Sequence, residues 1–172
     1  MPNCLLRPLR YVLSLLWSAV LGACALAAMP AVAASGATAN VDSAMGPRVL
    51  AVPDQLIDYT HGRLSSFCDV EGAKVEHVDF TEPYSRALRT ALLRAAHDAG
   101  VEVVDGGVYG CTQGPRLETI AEIARLRRDG CDLVGMTGMP EAALARELGL
   151  DYASLNLVAN WAAGCGDQAE IT

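Results

Sequence analysis

Three helix-length segments of this chain each stop on a glycine, and a short apolar run follows each one at once. Leu88, Leu92 and Ala95 recur at helical spacing before Gly100, after which residues 101–104 read as a strand. Residues 118–128 place Ile120, Ile123 and Leu126 on one helical face before Gly130, and residues 132–136 follow as a strand. Residues 140–148 close on Gly149, with a last strand over residues 152–161. Upstream, residues 48–53 (RVLAVP) form a further short apolar run, read as a buried strand. Strand and helix alternate throughout, which argues an α/β sandwich around a mixed, largely parallel sheet. At finer grain, Thr81 is expected to cap the first helix, with Pro83 in its first turn. Residues 54–69 carry no sustained period and read as a loop. The strand from Val101 is expected to run on through Gly106 and Gly107 to Tyr109.

At 172 residues the chain suits one domain, large enough to bury a core without disulfides. A net charge of −7 with only 13 Lys and Arg leaves no basic patch for nucleic acid. The six cysteines include no Cys-x-x-Cys pair, and His61, His77 and His97 form no ligand set with them. No metal site is expected, and the cysteines read as buried free thiols.

The N-terminal part differs in character. Arg7 and Arg10 precede an uncharged run over residues 11–41, and residues 11–28 are apolar enough for a signal-peptide core or one membrane-crossing helix. Small residues at 31–34 would suit a signal peptidase, and Leu21-Gly22-Ala23-Cys24 resembles a lipoprotein cleavage box. An Ala/Leu/Val-rich run is also what a misread frame or misplaced start encodes. The expected division is therefore an apolar segment over residues 1–41 and a domain portion over residues 42–172.

The polar clusters of the second half sit where strands hand over to loops or helices, and in open α/β sheets ligands bind beyond the strand ends. They are GPRLET ending near Glu118, MTGMPEAALARE beginning at Met136, and NWAAG beginning at Asn160. Read alone, each residue has an ordinary explanation. Glu118 suits the first turn of a helix, where the dipole favours an acid. Asn160 suits a strand-terminating turn, and Met136 suits core packing.

The three clusters, in this order, resemble the base- and ribose-binding half of the trimeric purine nucleoside phosphorylase and methylthioadenosine phosphorylase family, nearest its bacterial S-methyl-5′-thioinosine-using branch. The resemblance implies a three-layer α/β sandwich of the nucleoside phosphorylase fold, here incomplete. It implies phosphorolysis, in which inorganic phosphate attacks C1′ of a purine nucleoside as the base leaves. Glu118 would accept from N1–H of a 6-oxopurine, where adenine-using relatives carry Ser. Asn160 would donate to N7 and contact O6, supporting the negative charge that develops on the leaving base. Adenine-preferring relatives have Asp at that position and a second Asp where this chain has Ala162. Met136 would lie against the ribose, Thr137 would reach phosphate, and Trp161 and Ala162 would belong to the purine pocket. His77 resembles a residue lent by a neighbouring subunit of a homotrimer. No organic cofactor is implied, only phosphate as co-substrate, in a cytoplasmic enzyme of purine salvage.

The family's Gly-rich phosphate loop, Arg-His pair and ribose-side Asn-Ala-(Val/Ile)-Gly turn have no counterpart in the sequence. The expectation is therefore poor phosphate binding and low turnover. The alternative reading is a non-catalytic remnant, exported or tethered, that at most binds a purine.

Overall fold

A computed structural model describes residues 31–37 (backbone only), 47–69, 72 and 74–166. Seven strands and three helices follow one another among these residues: β1 Ala31–Ala37, β2 Leu50–Val52, β3 Gln55–Asp58, α1 Arg86–Asp98, β4 Val103–Asp105, β5 Val108–Cys111, α2 Ile120–Arg128, β6 Leu133–Gly135, α3 Gly138–Glu147 and β7 Tyr152–Val158. The alternation expected from the sequence is present, and so is the mixed, largely parallel pairing. β1 runs parallel to β7, β2 to β4, β3 to β5 and β5 to β6; only β2 and β7 are antiparallel.

The strands fall into two sheets, ordered β1-β7-β2-β4 and β3-β5-β6. The division arises at one bend. The run expected to continue from Val101 to Tyr109 breaks at Gly106 and Gly107, whose φ angles of 98° and 104° are open to glycine alone at little cost. Its partner bends at the same level, between β2 and β3. Gly106 N donates to Val52 O (2.9 Å), and Asp54 N donates to Gly107 O (3.1 Å). Asp54 Oδ1 accepts from Gly107 N at 2.9 Å. Both strands thus turn together from one sheet into the other. Arg89 of α1 fastens the bend, with Nε on Pro53 O (2.9 Å) and Nη2 on Val52 O (3.1 Å) and Asp105. β3 lies in the segment read as a loop. It carries no alternation to betray it, and backbone pairing to β5 makes it a strand.

The helix termini correct two further expectations. α1 is capped by Ser85, whose hydroxyl accepts from Leu88 N, not by Thr81. Thr81 is engaged in a tight turn, with its N and Oγ1 both on Asp79 Oδ1. Residues 81–84 are not helical, and Tyr84 stacks on Tyr152 at 6.0 Å between centroids. α2 begins after Thr119, which forms a reciprocal capping box with Glu122. Its buried face is Ile123 and Leu126, while Ile120, expected inward, is 67% exposed. Two apolar clusters result. One joins Tyr84, Tyr109, Leu133, Ala142, Tyr152 and Val158 beneath α3; the other joins Ile123, Leu126, Cys131, Val134 and Ala162 beneath α2.

β1 lies inside the stretch read as an apolar leader, yet its backbone pairs with β7 along its whole length. A cut within residues 31–34 would fall inside this strand. Residues 11–28, where a signal core or membrane helix was expected, lie outside the described residues, as do Cys4 and Cys24. No described helix is long and apolar enough to cross a membrane. Of the described cysteines, Cys111 and Cys131 are buried free thiols, as read from the sequence, while Cys68 is exposed.

Candidate functional site

β3, β5 and β6 run parallel and end level with one another, since Asp58 pairs with Cys111 and Cys111 with Gly135. Everything that follows these strands therefore emerges on one side: Tyr59 and His61 after β3, the 112–118 loop after β5, Met136 and Thr137 after β6. A cleft of about 450 Å³ opens there, lined by Tyr59, His61, Thr112, Gln113, Gly114 and Glu118, with Arg116, Glu122, Arg125 and Leu126 of the adjoining loop and helix.

Glu118 is half-buried in this cleft. Thr112 Oγ1 donates to its Oε1 at 2.6 Å. The nearby Arg116 is committed elsewhere, with both terminal nitrogens on Glu122 at 2.8 and 2.6 Å. Met136 abuts the same loop so closely that a Cβ on Gly114 would lie 2.4 Å from its Sδ. Gly114, at φ +62°, is thus both conformationally and sterically a glycine position.

Arg63 organises this end of the sheet. Its Nη1 donates to Met136 O (2.8 Å) and to Met139 O, its Nη2 to Gln113 O (2.9 Å) and Thr112 O (3.2 Å), and its Nε to Gln113 Oε1 (3.3 Å). Parallel strands that end together leave carbonyl oxygens without ladder partners. One planar guanidinium supplies donors to several of them at fixed angles. Gln113 passes the restraint on, since its Oε1 also accepts from His61 N at 3.1 Å. Sequence reasoning missed Arg63. It sits in a stretch without period, and its partners are backbone atoms that no residue pattern reveals.

Tyr59 forms the outer wall. Its hydroxyl donates to Asp129 Oδ2 at 2.8 Å, and the Arg125 guanidinium stands 5.7 Å from the ring centroid. Burial, then the bond to Asp129, pushes the phenol well above its ordinary pKa. Cys111 and Cys131 are also raised, chiefly by burial, which keeps them as thiols.

The remaining sequence-predicted residues are distributed as follows. Thr137 is exposed at the N-cap of α3 without a side-chain capping bond, and its N lies 3.4 Å from Tyr109 Oη. Asn160 and Trp161 follow the end of β7. Asn160 is half-buried, with Nδ2 donating to Trp161 O at 2.9 Å, and Trp161 packs against the larger apolar cluster. Ala162, expected in the purine pocket, is 4% exposed in the cluster beneath α2. A Cβ on Gly164 would meet Ile120. The segment carrying Asn160 thus crosses from the first sheet to the helix beside the Glu118 cleft. His77 is exposed in an irregular stretch and lines neither this cleft nor one of about 440 Å³ at the start of α1. Among the described residues no cluster of three or more His, Cys, Asp or Glu side chains could hold a metal.

Of the residues singled out in the sequence, Glu118 lines this cleft, whereas Met136, Thr137, Asn160, Trp161 and Ala162 are not among its lining residues. The sequence profile of the Phosphorylase superfamily matches residues 18–172. The chain belongs to that superfamily. The match starts inside the N-terminal apolar stretch, upstream of β1. A probable S-methyl-5′-thioinosine phosphorylase of Xylella fastidiosa (strain 9a5c) is 71% identical over 133 residues, 77% of this chain and 56% of that protein. A probable 6-oxopurine nucleoside phosphorylase of Thermococcus kodakarensis is 47% identical over 135 residues, 76% of this chain and 51% of its own length. Among solved structures, a methylthioadenosine phosphorylase from an antarctic soil metagenomic library superposes with a TM-score of 0.76 at 31% identity, covering 82% of this chain and 49% of that one. The chain spans about half the length of the curated relatives it matches.

Proposed function

We propose that this superfamily member is a purine nucleoside phosphorylase-type pentosyltransferase for a 6-oxopurine nucleoside, S-methyl-5′-thioinosine being the favoured substrate. The observation that carries the reading is Glu118: a carboxylate in the cleft beyond β5 and β6, one oxygen already accepting a hydrogen bond. A 6-oxopurine presents N1–H to such a group, while adenine presents a bare lone pair and would leave a half-buried acceptor unmatched. The names of the two relatives, one for thioinosine and one for 6-oxopurines, support the same preference.

In the reaction, phosphate attacks C1′ as the C–N bond breaks, through a transition state of oxocarbenium character resembling that of glycoside cleavage. The base leaves with negative charge, and an N–H aimed at N7 gains strength as that charge grows. Asn160 is assigned this role. One of its amide hydrogens is spent on Trp161 O, which fixes the side chain and leaves the second N–H and the carbonyl for the base. Met136 and Trp161 are assigned to the sugar and purine faces, Thr137 at the start of α3 to phosphate, and His77 to the sugar pocket of a neighbouring subunit in a homotrimer. Ala162 acts indirectly, as a small apolar residue where an acid would otherwise compete for adenine.

Two measurements test this. Phosphorolysis of inosine and methylthioinosine is compared with that of methylthioadenosine, and binding of free hypoxanthine with that of adenine. Preference for the 6-oxo compound is expected in each pair. Adenine-type ligands bound or cleaved equally well would refute it. Glu118→Ser combined with Asn160→Asp is expected to shift the preference toward adenine.

A further inference from the structure

We propose that Thr112 is the positioning residue that sets base preference, by orienting the Glu118 carboxylate so that its second oxygen turns to the cleft as a hydrogen-bond acceptor. The proposal deepens the reading above and rests on it. Thr112 Oγ1 lies 2.6 Å from Glu118 Oε1 and 3.3 Å from Gly135 O. A hydroxyl has one hydrogen, so it can serve only one of these acceptors fully. Gly135 O already accepts from Thr112 N at 2.7 Å. The hydroxyl hydrogen therefore belongs to Glu118, and 2.6 Å lies within the range of an O–H···O⁻ bond. Gly135 O, at 3.3 Å, lies beyond ordinary O–H···O distances.

Thr112 can impose this because its own backbone is held on both sides, N on Gly135 and O under Arg63. Among the described residues nothing else donates a hydrogen bond to Glu118, and Arg116 is bound to Glu122. Oε2 is left for a ligand N–H. Without the Thr112 hydroxyl, the carboxylate loses the bond that fixes its orientation.

The test is calorimetric titration of the chain with hypoxanthine and with adenine, for wild type, Thr112→Val, Thr112→Ser and Glu118→Gln, with thermal melts of each. Thr112→Val keeps the β-branched shape and removes the donor. It is expected to weaken hypoxanthine about tenfold or more, the worth of one hydrogen bond to a charged group, without weakening adenine. Thr112→Ser is expected to restore the wild-type ratio, and Glu118→Gln to reproduce the relaxed ratio of Thr112→Val. A merely structural role would weaken both bases together, and that result overturns the proposal. So does a wild-type ratio in Thr112→Val beside a relaxed one in Glu118→Gln. Should Thr112→Val not fold, a wild-type ratio in Thr112→Ala does the same. If wild type itself binds neither base, the purine-site reading falls first and the proposal with it, an outcome distinct from the others.

Discussion

Replacing Arg63 with Ala should cost more than any other exchange at the cleft. Its guanidinium makes five hydrogen bonds, four of them to backbone carbonyls of three separate segments: Thr112 and Gln113 after β5, Met136 after β6, and Met139 in α3. Hydrogen bonds from a charged donor are worth about 1.5–3 kcal/mol each where both groups are shielded. The bonds to Met136 O and Gln113 O, at 2.8 and 2.9 Å, are firm enough to count at the lower figure. The longer ones, at 3.2 and 3.3 Å, add little, and water reaches some of the freed carbonyls. The expected loss is therefore about 3–4 kcal/mol, a large fraction of the stability of an ordinary domain. Urea denaturation followed by circular dichroism measures it as a fall in midpoint at unchanged slope. Arg63→Lys should recover less than half, because an ammonium on a flexible stem cannot address the same diverging carbonyls. A loss below about 1 kcal/mol for Arg63→Ala, the level of an ordinary surface exchange, would mean that the strand ends hold themselves and that the clamp is incidental.

Three further outcomes follow from single contacts. Tyr84 is 2% exposed and its hydroxyl has no hydrogen-bond partner among the described residues, so Tyr84→Phe should raise stability by about 1 kcal/mol in the same assay. Gly135→Ala would place a Cβ 2.1 Å from Tyr109 Oη and 2.8 Å from its Cζ, so it should destabilise by about 2–3 kcal/mol, and adding Tyr109→Phe should not rescue it. Glu122 is held at about 2 by Arg116 and the Thr119 backbone, against 4.5 for the free group. Because the folded value is the lower one, its contribution is fully present above about pH 4.5 and disappears as pH falls through about 2. The stability gap between wild type and Glu122→Gln should close over that window, and shrink in about 1 M salt because the pair is exposed.

What was legible in the sequence were features written in side chains. The glycine stops at Gly100, Gly130 and Gly149 all stand at positive φ immediately after their helices. Of the three residues read as the inward face of α2, Ile123 and Leu126 are buried and Ile120 is not. What escaped was written in the backbone. β3 exists because its peptide groups pair with β5, and Gln55 and Asp58 at its ends are exposed polar residues that no periodicity rule selects. The break at Gly106 and Gly107 looks, in one dimension, like two flexible residues within a strand; only pairing with Val52 and Asp54 makes it a passage between sheets. At the cleft the same division holds. Glu118 and Asn160 stand out as polar residues at element ends, whereas Arg63 and Thr112 act through carbonyls and through another side chain.

The two sheets contribute opposite chemistry to the proposed site, and this bears on why one segment has to cross between them. The level ends of β3, β5 and β6 present the Glu118 carboxylate beside loop carbonyls that Arg63 engages. Such an end can receive the N1–H of a 6-oxopurine, whose O6 and N7 are acceptors themselves and call for donors. On the proposed reading Asn160 supplies one of these donors. β7 belongs to the other sheet, and the residues after it pass to α2, where Ala162 is buried against Ile123 and Leu126. On the proposed reading, that anchorage is what positions the Asn160 amide for the base. On this account Ala162 acts through its size: a larger residue would lift the segment from α2 and move the donor away while leaving Glu118 untouched. Ala162→Leu should therefore weaken hypoxanthine binding while Thr112→Val, acting on the acceptor alone, alters which base is preferred. If both exchanges changed the preference in the same way, the donor and the acceptor would not be separately mounted.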